Sequence, residues 1–322
     1  MPGPSGRRIL VTGGAGFIGS TLVDRLLSEG ECVTAIDNFD SFYARSRKLR
    51  NILQASRHPK FKLVEIDIRD ASAVHSLFDQ VRPDVVVHLA ARAGVRPSIE
   101  NPSLYVAVNV QGTAHLLDAA SRLTPRPKFV YASSSSVYGD RPDAPFRESD
   151  PVDHPISPYA ATKKACELLA HTFHHLHGLH VTGLRFFTAY GPRNRPDLAI
   201  AKFAGLIEKG EPLPMFGDGT TRRDYTYVDD IIDGVVRAID RCESHHLYNL
   251  GNSDPVLLRD LIAMLGHALG KTPVVNQLPE QPGDVRQTYA DITRAQTELG
   301  YQPSTPIREG LRRFVTWYRA GF

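Results

Sequence analysis

A glycine-rich turn close to the start of the chain places the strongest constraint on its fold. The strand-like run Arg8–Thr12 is followed by GGAGFIG, with Gly13, Gly16 and Gly19 at three-residue intervals, and then by the amphipathic stretch STLVDRLLSEG. Between a strand and a helix, the first glycine permits a tight turn, the second lets the backbone approach a pyrophosphate, and the third lets helix and strand pack closely. The helix start also offers unpaired N–H groups to an anion. This context predicts a dinucleotide-binding unit.

Apolar runs alternate with helical segments along the first part of the chain. The predicted strands are Arg8–Thr12, Cys32–Asp37, Phe61–Ile68, Asp84–Ala91, Lys128–Ser135 and His180–Phe187. Runs such as VVVHLAA are apolar throughout, as in a parallel sheet that is covered by helices on both faces. The alternation predicts an α/β fold built on a doubly wound parallel sheet of the Rossmann type.

After residue 187 the texture of the sequence changes. Glycine and proline become frequent in GPRNRP, GEPLPMFGDG and LPEQPGD, and the regular strand–helix alternation stops. We predict a dinucleotide-binding domain over residues 1–187. Over residues 188–322 we predict a smaller, C-terminal substrate-binding domain with short helices, from which later segments return to the first domain.

Composition and charge exclude several classes of protein. No apolar run approaches the ~20 residues of a membrane span, and MPGPSGRR leads into a strand without a signal peptide, so we expect a cytoplasmic protein. The net charge of +3 is carried by scattered residues, which argues against a nucleic-acid partner. The three cysteines are far apart, and the histidines between His171 and His177 have no accompanying ligand set, so we predict no metal site.

An acidic residue ends the second predicted strand. Asp37 lies eighteen residues after Gly19, where a carboxylate can accept hydrogen bonds from both hydroxyls of a ribose. The same charge would repel a 2′-phosphate, which favours NAD over NADP. Three nearby cations would instead attract a 2′-phosphate and so favour NADP, namely Arg45, Arg47 and Lys48.

A tyrosine and a lysine stand one helical turn apart in SPYAATKKACELLAHTF. Tyr159 and Lys163 therefore project from one face of a helix whose start is marked by Ser157 and Pro158. An ammonium group beside a phenol favours the phenolate, which is a proton acceptor. Upstream, a run of four serines begins at Ser133, at the carboxyl end of a predicted parallel strand, where open α/β folds bind ligands. One of these hydroxyls can hold an alcohol that is being oxidised.

These motifs together resemble the extended short-chain dehydrogenase/reductase family. The resemblance rests on GGAGFIG, VVVHLAA, Asn109, the serine run before VYG, and Tyr159 with Lys163, and it covers nearly the whole chain. It implies tightly bound NAD, a nucleotide-sugar substrate, and Ser134, Tyr159 and Lys163 as the catalytic set, with the neighbours of Ser134 as alternatives to it. The positions expected around the cofactor are Gly13, Gly16, Phe17, Ile18, Gly19, Asp37, Asn38, Asp67, Ile68, Ala90, Ala91, Asn109, Tyr159 and Lys163.

Two downstream segments look like the substrate loops of nucleotide-sugar epimerases. In GLRFFTAYGPRNRPD, the sequence from Thr188 to Arg195 resembles UDP-glucuronate 4-epimerases, in which the second arginine meets the sugar carboxylate. UDP-galactose 4-epimerases usually have asparagine at the position of Thr188. In MFGDGTTRRDYTYVDD, Arg223 matches a phosphate ligand of the family, although a solvated turn would also explain it. The expected substrate-binding residues are Ser133, Ser135, Thr188, Arg195, Phe216, Arg223 and Arg286.

The resemblance therefore predicts a UDP-glucuronate 4-epimerase. It would oxidise carbon 4 transiently with bound NAD, form a 4-keto sugar and return the hydride to the opposite face. The alternatives are a UDP-glucose/UDP-galactose 4-epimerase, a UDP-glucuronate decarboxylase and a non-enzymatic NAD-binding regulator. Family dehydratases and decarboxylases carry acidic residues where this chain has Ser135 and Ser136, which counts against elimination.

A homodimer is also expected from the resemblance. Family members commonly form a four-helix bundle from the helices that here span roughly residues 103–122 and 158–176. The apolar residues that would allow this are Leu104, Val108, Leu116, Leu168 and Leu169. The same side chains could instead face the sheet.

Overall fold

The computed structural model describes residues 6–280 and 285–321. Its strands are β1 (Arg8–Thr12), β2 (Cys32–Asp37), β3 (Phe61–Glu65), β4 (Val85–His88), β5 (Lys128–Ser134), β6 (Val181–Phe186), β7 (Thr188–Tyr190), β8 (Leu213–Phe216), β9 (Arg222–Tyr227), β10 (His245–Leu250), β11 (Pro255–Leu257) and β12 (Val275–Leu278). Seven of them form the main sheet in the order β10-β6-β5-β4-β1-β2-β3, with every neighbouring pair parallel. The strand order reverses between β1 and β4, which is where open α/β sheets bind ligands.

The helices occupy the crossovers and the C-terminal region. In chain order they are α1 (Phe17–Ser28), α2 (Arg45–Asn51), α3 (Ala71–Val81), α4 (Val95–Glu100), α5 (Pro102–Tyr105), α6 (Gly112–Arg122), α7 (Pro158–His177), α8 (Ala199–Lys209), α9 (Val228–Asp240), α10 (Leu258–Leu269) and α11 (Ile307–Arg319). A π-helical segment, Val106–Gln111, joins α5 to α6, and a second one spans Ala295–Leu299. Within the described part of the chain, no helix is both long and apolar enough to cross a membrane.

Apolar faces of the helices cover both sides of the main sheet. Successive strand residues point to opposite faces. On one face, Val11 of β1 packs with Leu22 of α1 and Val235 of α9, and all three are fully buried. On the other face, Phe78 of α3, Leu116 of α6 and Ala170 of α7 are buried in a second core. The first of these cores continues through α8, α10 and α11, so the C-terminal region is packed onto the sheet.

Two small sheets lie in the C-terminal region. In one, β9 pairs in parallel with β7 and antiparallel with β11. In the other, β8 pairs in parallel with β12. Strand β10 returns to the main sheet beside β6. The main sheet therefore takes one strand from beyond residue 187, and the domain boundary at 187/188 stays a prediction.

The predicted α/β fold with a parallel sheet is confirmed, although several strands end before their apolar runs do. β3 ends at Glu65 instead of Ile68, and β4 ends at His88 instead of Ala91. After His88, the amides of Leu89 and Ala90 both donate to Thr12 Oγ1, at 3.1 and 3.0 Å. A side chain thus replaces part of the sheet hydrogen bonding, and the chain leaves the sheet at this edge.

The expectation of short helices after residue 187 is wrong. Helices α8, α9, α10 and α11 are 11 to 13 residues long. Frequent glycine and proline mark the loops between them, whereas each helix has an apolar face that is buried in the common core.

Candidate active site

The glycine turn after β1 leaves the start of α1 open. Gly13 has a φ of 68°, and a Cβ there would lie 2.9 Å from the Ala90 amide nitrogen. A Cβ on Gly19 would lie 2.1 Å from the Gly13 carbonyl oxygen, so only glycine fits. Gly16 is the N-cap of α1 and provides no side-chain cap for the amides of Phe17 and Ile18. A helix start whose amides have no capping side chain, and whose N-cap is a glycine, fits a pyrophosphate.

The carboxylate of Asp37 is held at the end of β2. It is 7% exposed, and it accepts hydrogen bonds from Lys48 Nζ at 2.9 Å, from the Phe39 amide at 2.8 Å and from the Ala15 amide at 3.3 Å. Arg45, another of the nearby cations, forms an ion pair with Glu65. Two of the three cations that could have attracted a 2′-phosphate are therefore already paired with carboxylates.

The residues expected around the adenine of the cofactor lie beyond the ends of β2 and β3. Asp67 accepts hydrogen bonds from Asn38 Nδ2 at 2.9 Å and from the Arg69 guanidinium at 2.7 Å. The hydrogen bond from Arg69 lowers the pKa of Asp67 to about 2. Ile68, the next residue, is buried. The structure thus brings Asn38 and Asp67 together across two loops, although 29 residues separate them in sequence.

A buried histidine ties the ends of β1 and β4 to α6. Thr12 Oγ1 lies 2.7 Å from His88 Nδ1, and Thr113 Oγ1 lies 2.9 Å from His88 Nε2. The Thr113 hydroxyl donates to the Asn109 carbonyl, so it accepts from Nε2–H. The Thr12 hydroxyl already accepts two amides and is free to donate to Nδ1. The neutral Nε2–H tautomer therefore satisfies the whole network.

This network predicts a specific dependence of stability on pH. Burial lowers the pKa of His88 to about 3, with a further contribution from the charge of Lys163. Because the pKa is lower in the folded state than the ordinary value of 6.5, stability is full above pH 6.5 and falls as the pH decreases towards 3. Between these two pH values, unfolding takes up one proton at His88. We expect this proton to add about 1.4 kcal/mol per pH unit to the slope of the unfolding free energy against pH.

Urea unfolding between pH 4.5 and 7 measures this slope. Glutamine retains a donor and an acceptor but does not titrate, so His88→Gln should flatten the slope by about one proton. His245, whose pKa is lowered to about 4 by burial, remains in both proteins and serves as the internal reference. Equal slopes in the two proteins would contradict the assignment.

Asn109 anchors the loop that follows β4. Its side chain accepts from the Arg92 amide at 2.8 Å and donates to the Arg92 carbonyl at 3.0 Å, and it also donates to Thr162 Oγ1 on α7. Ala90 and Ala91, which precede Arg92, are thereby held between the glycine turn and α7. The expected lining of a cofactor channel is thus assembled from β4, α7 and the π-helical segment.

The expected catalytic pair, Tyr159 and Lys163, lies in the first turns of α7. Ser157 caps this helix by accepting the Ala160 amide at 3.1 Å, and Pro158 occupies its first position. Tyr159 is half-buried, and its amide donates to Ser98 Oγ at 3.1 Å. Lys163 is 5% exposed, and its Nζ donates to the Ala132 carbonyl of β5 at 2.7 Å. The lysine is therefore held close to the end of the strand that carries the serines.

The serines of the run have different environments. Ser134 Oγ accepts the Ser136 amide at 3.2 Å and donates to Ser136 Oγ at 3.1 Å, while Ser135 is half-buried at the start of the 3₁₀ turn Ser135–Tyr138. Ser133 Oγ instead donates to Glu167 Oε1 at 2.6 Å in a buried pair. Neighbouring residues of a strand point to opposite faces. The structure thus does not bring Ser133 to the substrate side, where it was expected.

Ser133 belongs to a buried polar network that the sequence analysis missed. Arg185 Nε and Nη2 donate to the two oxygens of Glu167 at 2.8 and 2.9 Å, and Nη1 donates to Tyr138 Oη at 2.9 Å. Burial opposes the charge of Arg185, but the hydrogen bonds and charges of Glu167 and Tyr138 together outweigh it, so the pKa of Arg185 is raised. An arginine within the apolar run GLRFF was the available signal, since a charge in a buried strand needs a partner.

Arg195, the expected ligand of the sugar carboxylate, lies within electrostatic range of Tyr159. Its Nε and Nη2 donate to Asp197 at 3.0 and 2.6 Å, and its Cζ is 5.1 Å from the centroid of the Phe42 ring. Burial opposes the charge of Arg195, but Asp197 and the fields of Tyr159 and Tyr43 together outweigh it, so the pKa of Arg195 is raised. Thr188, the other expected specificity residue, is half-buried at the start of β7.

The expected nucleotide-binding residues come from β8 and β9. The Arg96 guanidinium lies over the ring of Phe216, with 5.0 Å between Cζ and the ring centroid. Arg223 donates to the carbonyls of Arg222 and Arg286, at 2.8 and 3.4 Å. Arg223 and Arg286 are therefore adjacent, whereas the preceding residues 281–284 lie outside the described part of the chain.

The histidines give no sign of a metal centre. The His245 ring contacts those of His171 and His174, with centroids 4.9 and 5.9 Å apart. Over residues 6–280 and 285–321, no group of three or more His, Cys, Asp or Glu side chains could hold a metal ion.

Comparisons with known proteins show the family to which the chain belongs. The family model for GDP-mannose 4,6 dehydratase matches residues 10–314. UDP-glucuronate 4-epimerase 3 from Arabidopsis thaliana is 43% identical over 97% of this chain and 76% of its own length. The UDP-glucuronic acid 4-epimerase of Bacillus cereus, crystallised with UDP-glucuronic acid and NAD, is 36% identical over 98% of this chain and 99% of that one, with a TM-score of 0.91.

A relative with another sugar substrate is also similar. The UDP-glucose 4-epimerase of Thermotoga maritima, solved with UDP-glucose, is 33% identical over 97% of this chain and 99% of that one, with a TM-score of 0.88. These relatives are all named as 4-epimerases of UDP-sugars, but the sugars in their names differ. The chain belongs to the extended short-chain dehydrogenase/reductase family and is an NAD-dependent nucleotide-sugar 4-epimerase of that family.

Proposed function

We propose that this chain is a UDP-glucuronate 4-epimerase that holds NAD tightly and interconverts UDP-glucuronate and UDP-galacturonate. The observation that carries the proposal is the Arg195 guanidinium, which is 17% exposed and lies within electrostatic range of Tyr159. An arginine fork is suited to bind a carboxylate, and a buried sugar carboxylate needs such a partner. A neutral sugar has no comparable need. The similarity to the Arabidopsis and Bacillus proteins supports the same substrate.

The cofactor would lie along the edge formed by the ends of β1, β2 and β4. The open start of α1 would hold its pyrophosphate, and Asp37 its adenine-side ribose. The pairing of Lys48 with Asp37 favours NAD over NADP, because this cation is already neutralised. When bound, NAD supplies a hydride acceptor that later returns the hydride.

The protein's own groups would move one proton. Tyr159, as phenolate, would take the proton from the carbon 4 hydroxyl, and Ser134 would hold that oxygen. Lys163, fixed through the Ala132 carbonyl, would keep positive charge beside the phenolate. The 4-keto ring would then turn over while Arg223 and Arg286 hold the diphosphate, and Tyr159 would return the proton.

A 4-keto uronic acid is a β-keto acid, and it loses carbon dioxide readily. The enzyme must therefore keep the bond between carbon 5 and the carboxylate out of alignment with the carbonyl π-system. Ser135, Thr188 and Arg195 would grip the carboxylate for this purpose. No acidic residue stands at Ser135 or Ser136 to move protons at neighbouring carbons, which favours epimerisation over elimination.

Arg195→Gln is expected to weaken the binding of UDP-glucuronate roughly 10- to 100-fold, because a hydrogen-bonded charge pair is lost. The binding of UDP-glucose should change much less, since its carbon 6 carries a hydroxyl. Titration calorimetry on both ligands measures the difference. The matched control is Arg193→Gln, which removes the other arginine of the same loop, paired with Asp24 at 2.6 Å. Equal losses for both sugars in Arg195→Gln would contradict the specificity role.

Product analysis tests the function itself. Purified protein is incubated with UDP-glucuronate, UDP-glucose and UDP-galactose, without added cofactor, and the products are identified by NMR. UDP-galacturonate from UDP-glucuronate is the expected result. A preference for the neutral sugars would identify a UDP-glucose 4-epimerase, a pentose product would identify a decarboxylase, and no turnover would overturn the proposal.

We also propose that the protein is a homodimer. Val106 of the π-helical segment and Leu168 of α7 are 51% and 56% exposed, and these two elements pack side by side. Leu116, by contrast, is fully buried in the core under the sheet. We expect Leu168→Glu to give a monomer in sedimentation analysis, whereas Val274→Glu, an equally exposed position elsewhere, should leave a dimer. A monomeric wild-type protein would contradict the proposal.

A further inference from the structure

One feature of the substrate side is an aspartate that binds the specificity arginine along one edge only. Asp197 accepts from Arg195 Nε at 3.0 Å and from Nη2 at 2.6 Å. A guanidinium is a planar fork with five N–H donors, so its opposite edge offers Nη1 and the second hydrogen of Nη2. That edge makes no hydrogen bond to any residue within 6–280 or 285–321. Arg195 can therefore hold Asp197 and a second carboxylate at once.

The guanidinium of Arg195 also packs against an aromatic ring. Phe42 lies against it, with 5.1 Å between Arg195 Cζ and the ring centroid. Arg92 lies against the same ring at 5.3 Å, and it is itself held by Asp40 at 3.2 Å. Asp197 thus holds one edge of the guanidinium while Phe42 packs beside it. These contacts restrict how the free edge can turn, and Tyr159 lies within electrostatic range of the arginine.

We propose that Asp197 is a positioning residue that decides whether the keto intermediate is epimerised or decarboxylated. This inference rests on the proposed function. By holding the Nε edge of Arg195, Asp197 presents the opposite edge to the substrate carboxylate at a set angle. The carboxylate bond then stays near the plane of the C4 carbonyl. Cleavage needs that bond perpendicular to the plane, so a rotated fork would permit it.

The side reaction is fully balanced. The bond between carbon 5 and the carboxylate breaks, carbon dioxide leaves, and the electron pair enters an enolate over carbons 4 and 5. A proton from solvent then adds at carbon 5 and gives a UDP-4-ketopentose. The carbonyl is not reduced in this branch, so the hydride taken at carbon 4 stays on the cofactor, and bound NADH accumulates.

The test compares Asp197→Asn with wild type in the holoenzyme, with UDP-glucuronate labelled with carbon-13 at carbon 6. The asparagine side chain has one carbonyl oxygen that can accept a hydrogen bond from Arg195. Its amide NH₂ group would face the other N–H of the arginine, donor against donor, so the guanidinium would no longer be held in one orientation. We expect the ratio of labelled carbon dioxide to UDP-galacturonate to rise about tenfold or more, the change expected for loss of one charge-assisted hydrogen bond. The value of kcat for epimerisation should fall more than KM rises. Asp197→Asn also removes a negative charge that would repel the substrate carboxylate, and this partly offsets the loss of binding.

Two further variants separate positioning from loss of structure. Asp197→Glu keeps the carboxylate and should give a ratio between those of wild type and Asp197→Asn. Asp24→Asn removes the other arginine–aspartate pair of the loop, Arg193 with Asp24, without touching Arg195, and should leave the ratio unchanged. If wild type forms no UDP-galacturonate, the proposed function fails. If wild type does so and Asp197→Asn keeps the wild-type ratio, or Asp24→Asn raises it equally, the positioning role fails alone.

Discussion

Replacing Tyr159 by phenylalanine is expected to lower kcat by roughly 10³-fold, the range for loss of a general acid–base group. The substitution removes only the oxygen that accepts and returns the proton. The ring remains, with its edge-on contact to Tyr105 at 6.2 Å between centroids, and the amide keeps its hydrogen bond to Ser98. The helix should therefore fold as before, and the loss should appear in kcat much more than in KM.

Cofactor content distinguishes this result from a collapsed site. The expected contacts to the dinucleotide lie mainly at the glycine turn and Asp37, so Tyr159→Phe should release nearly as much NAD on denaturation as wild type. A matched control is Tyr248→Phe, which removes a phenol hydroxyl that donates to Glu298 at 2.7 Å, away from the site. It should keep full activity. Substantial turnover by Tyr159→Phe would contradict the assignment of the base.

Removal of Glu167 is expected to reduce the free energy of unfolding by about 3–5 kcal/mol, since it leaves a buried guanidinium without its partner. Both side chains of the Arg185–Glu167 pair are at most 3% exposed. Ser133 donates to Glu167, so its hydroxyl would also lose its partner in Glu167→Ala, whereas Tyr138 would keep its hydrogen bond from Arg185. Urea unfolding of Glu167→Ala measures the loss.

A double variant attributes the effect to the pair. Glu167→Leu combined with Arg185→Met replaces both charges with apolar groups of similar length, so the double variant should be more stable than Glu167→Ala. As a surface reference, Glu29→Ala removes the partner of Arg25 on α1, where both groups are partly exposed, and should cost less than about 1 kcal/mol. If Glu167→Ala is no less stable than Glu29→Ala, the buried network of Arg185 and Glu167 contributes little to stability.

Much of the site could be predicted because its signals are local. The glycine spacing, the acid that ends β2 and the Tyr-x-x-x-Lys pair each depend on one turn, one strand end or one helical turn. In a parallel sheet, the carboxyl ends of all strands lie at one edge, so placing these motifs on strands and helices also placed them together. The strand ends were less accurate, because the chain leaves the sheet where the Thr12 side chain takes over two amides.

The sequence by itself determined the sheet, the glycine turn and the pair on α7, since short-range periodicity and steric constraints specify them. Only the tertiary structure decided which serine faces which side, what neutralises Arg185, and how Arg195 is oriented. Glu167 lies 18 residues from Arg185, and Phe42 is far from Arg195 in the chain. Contacts of this kind depend on how distant segments pack, and no local pattern of residues encodes their geometry.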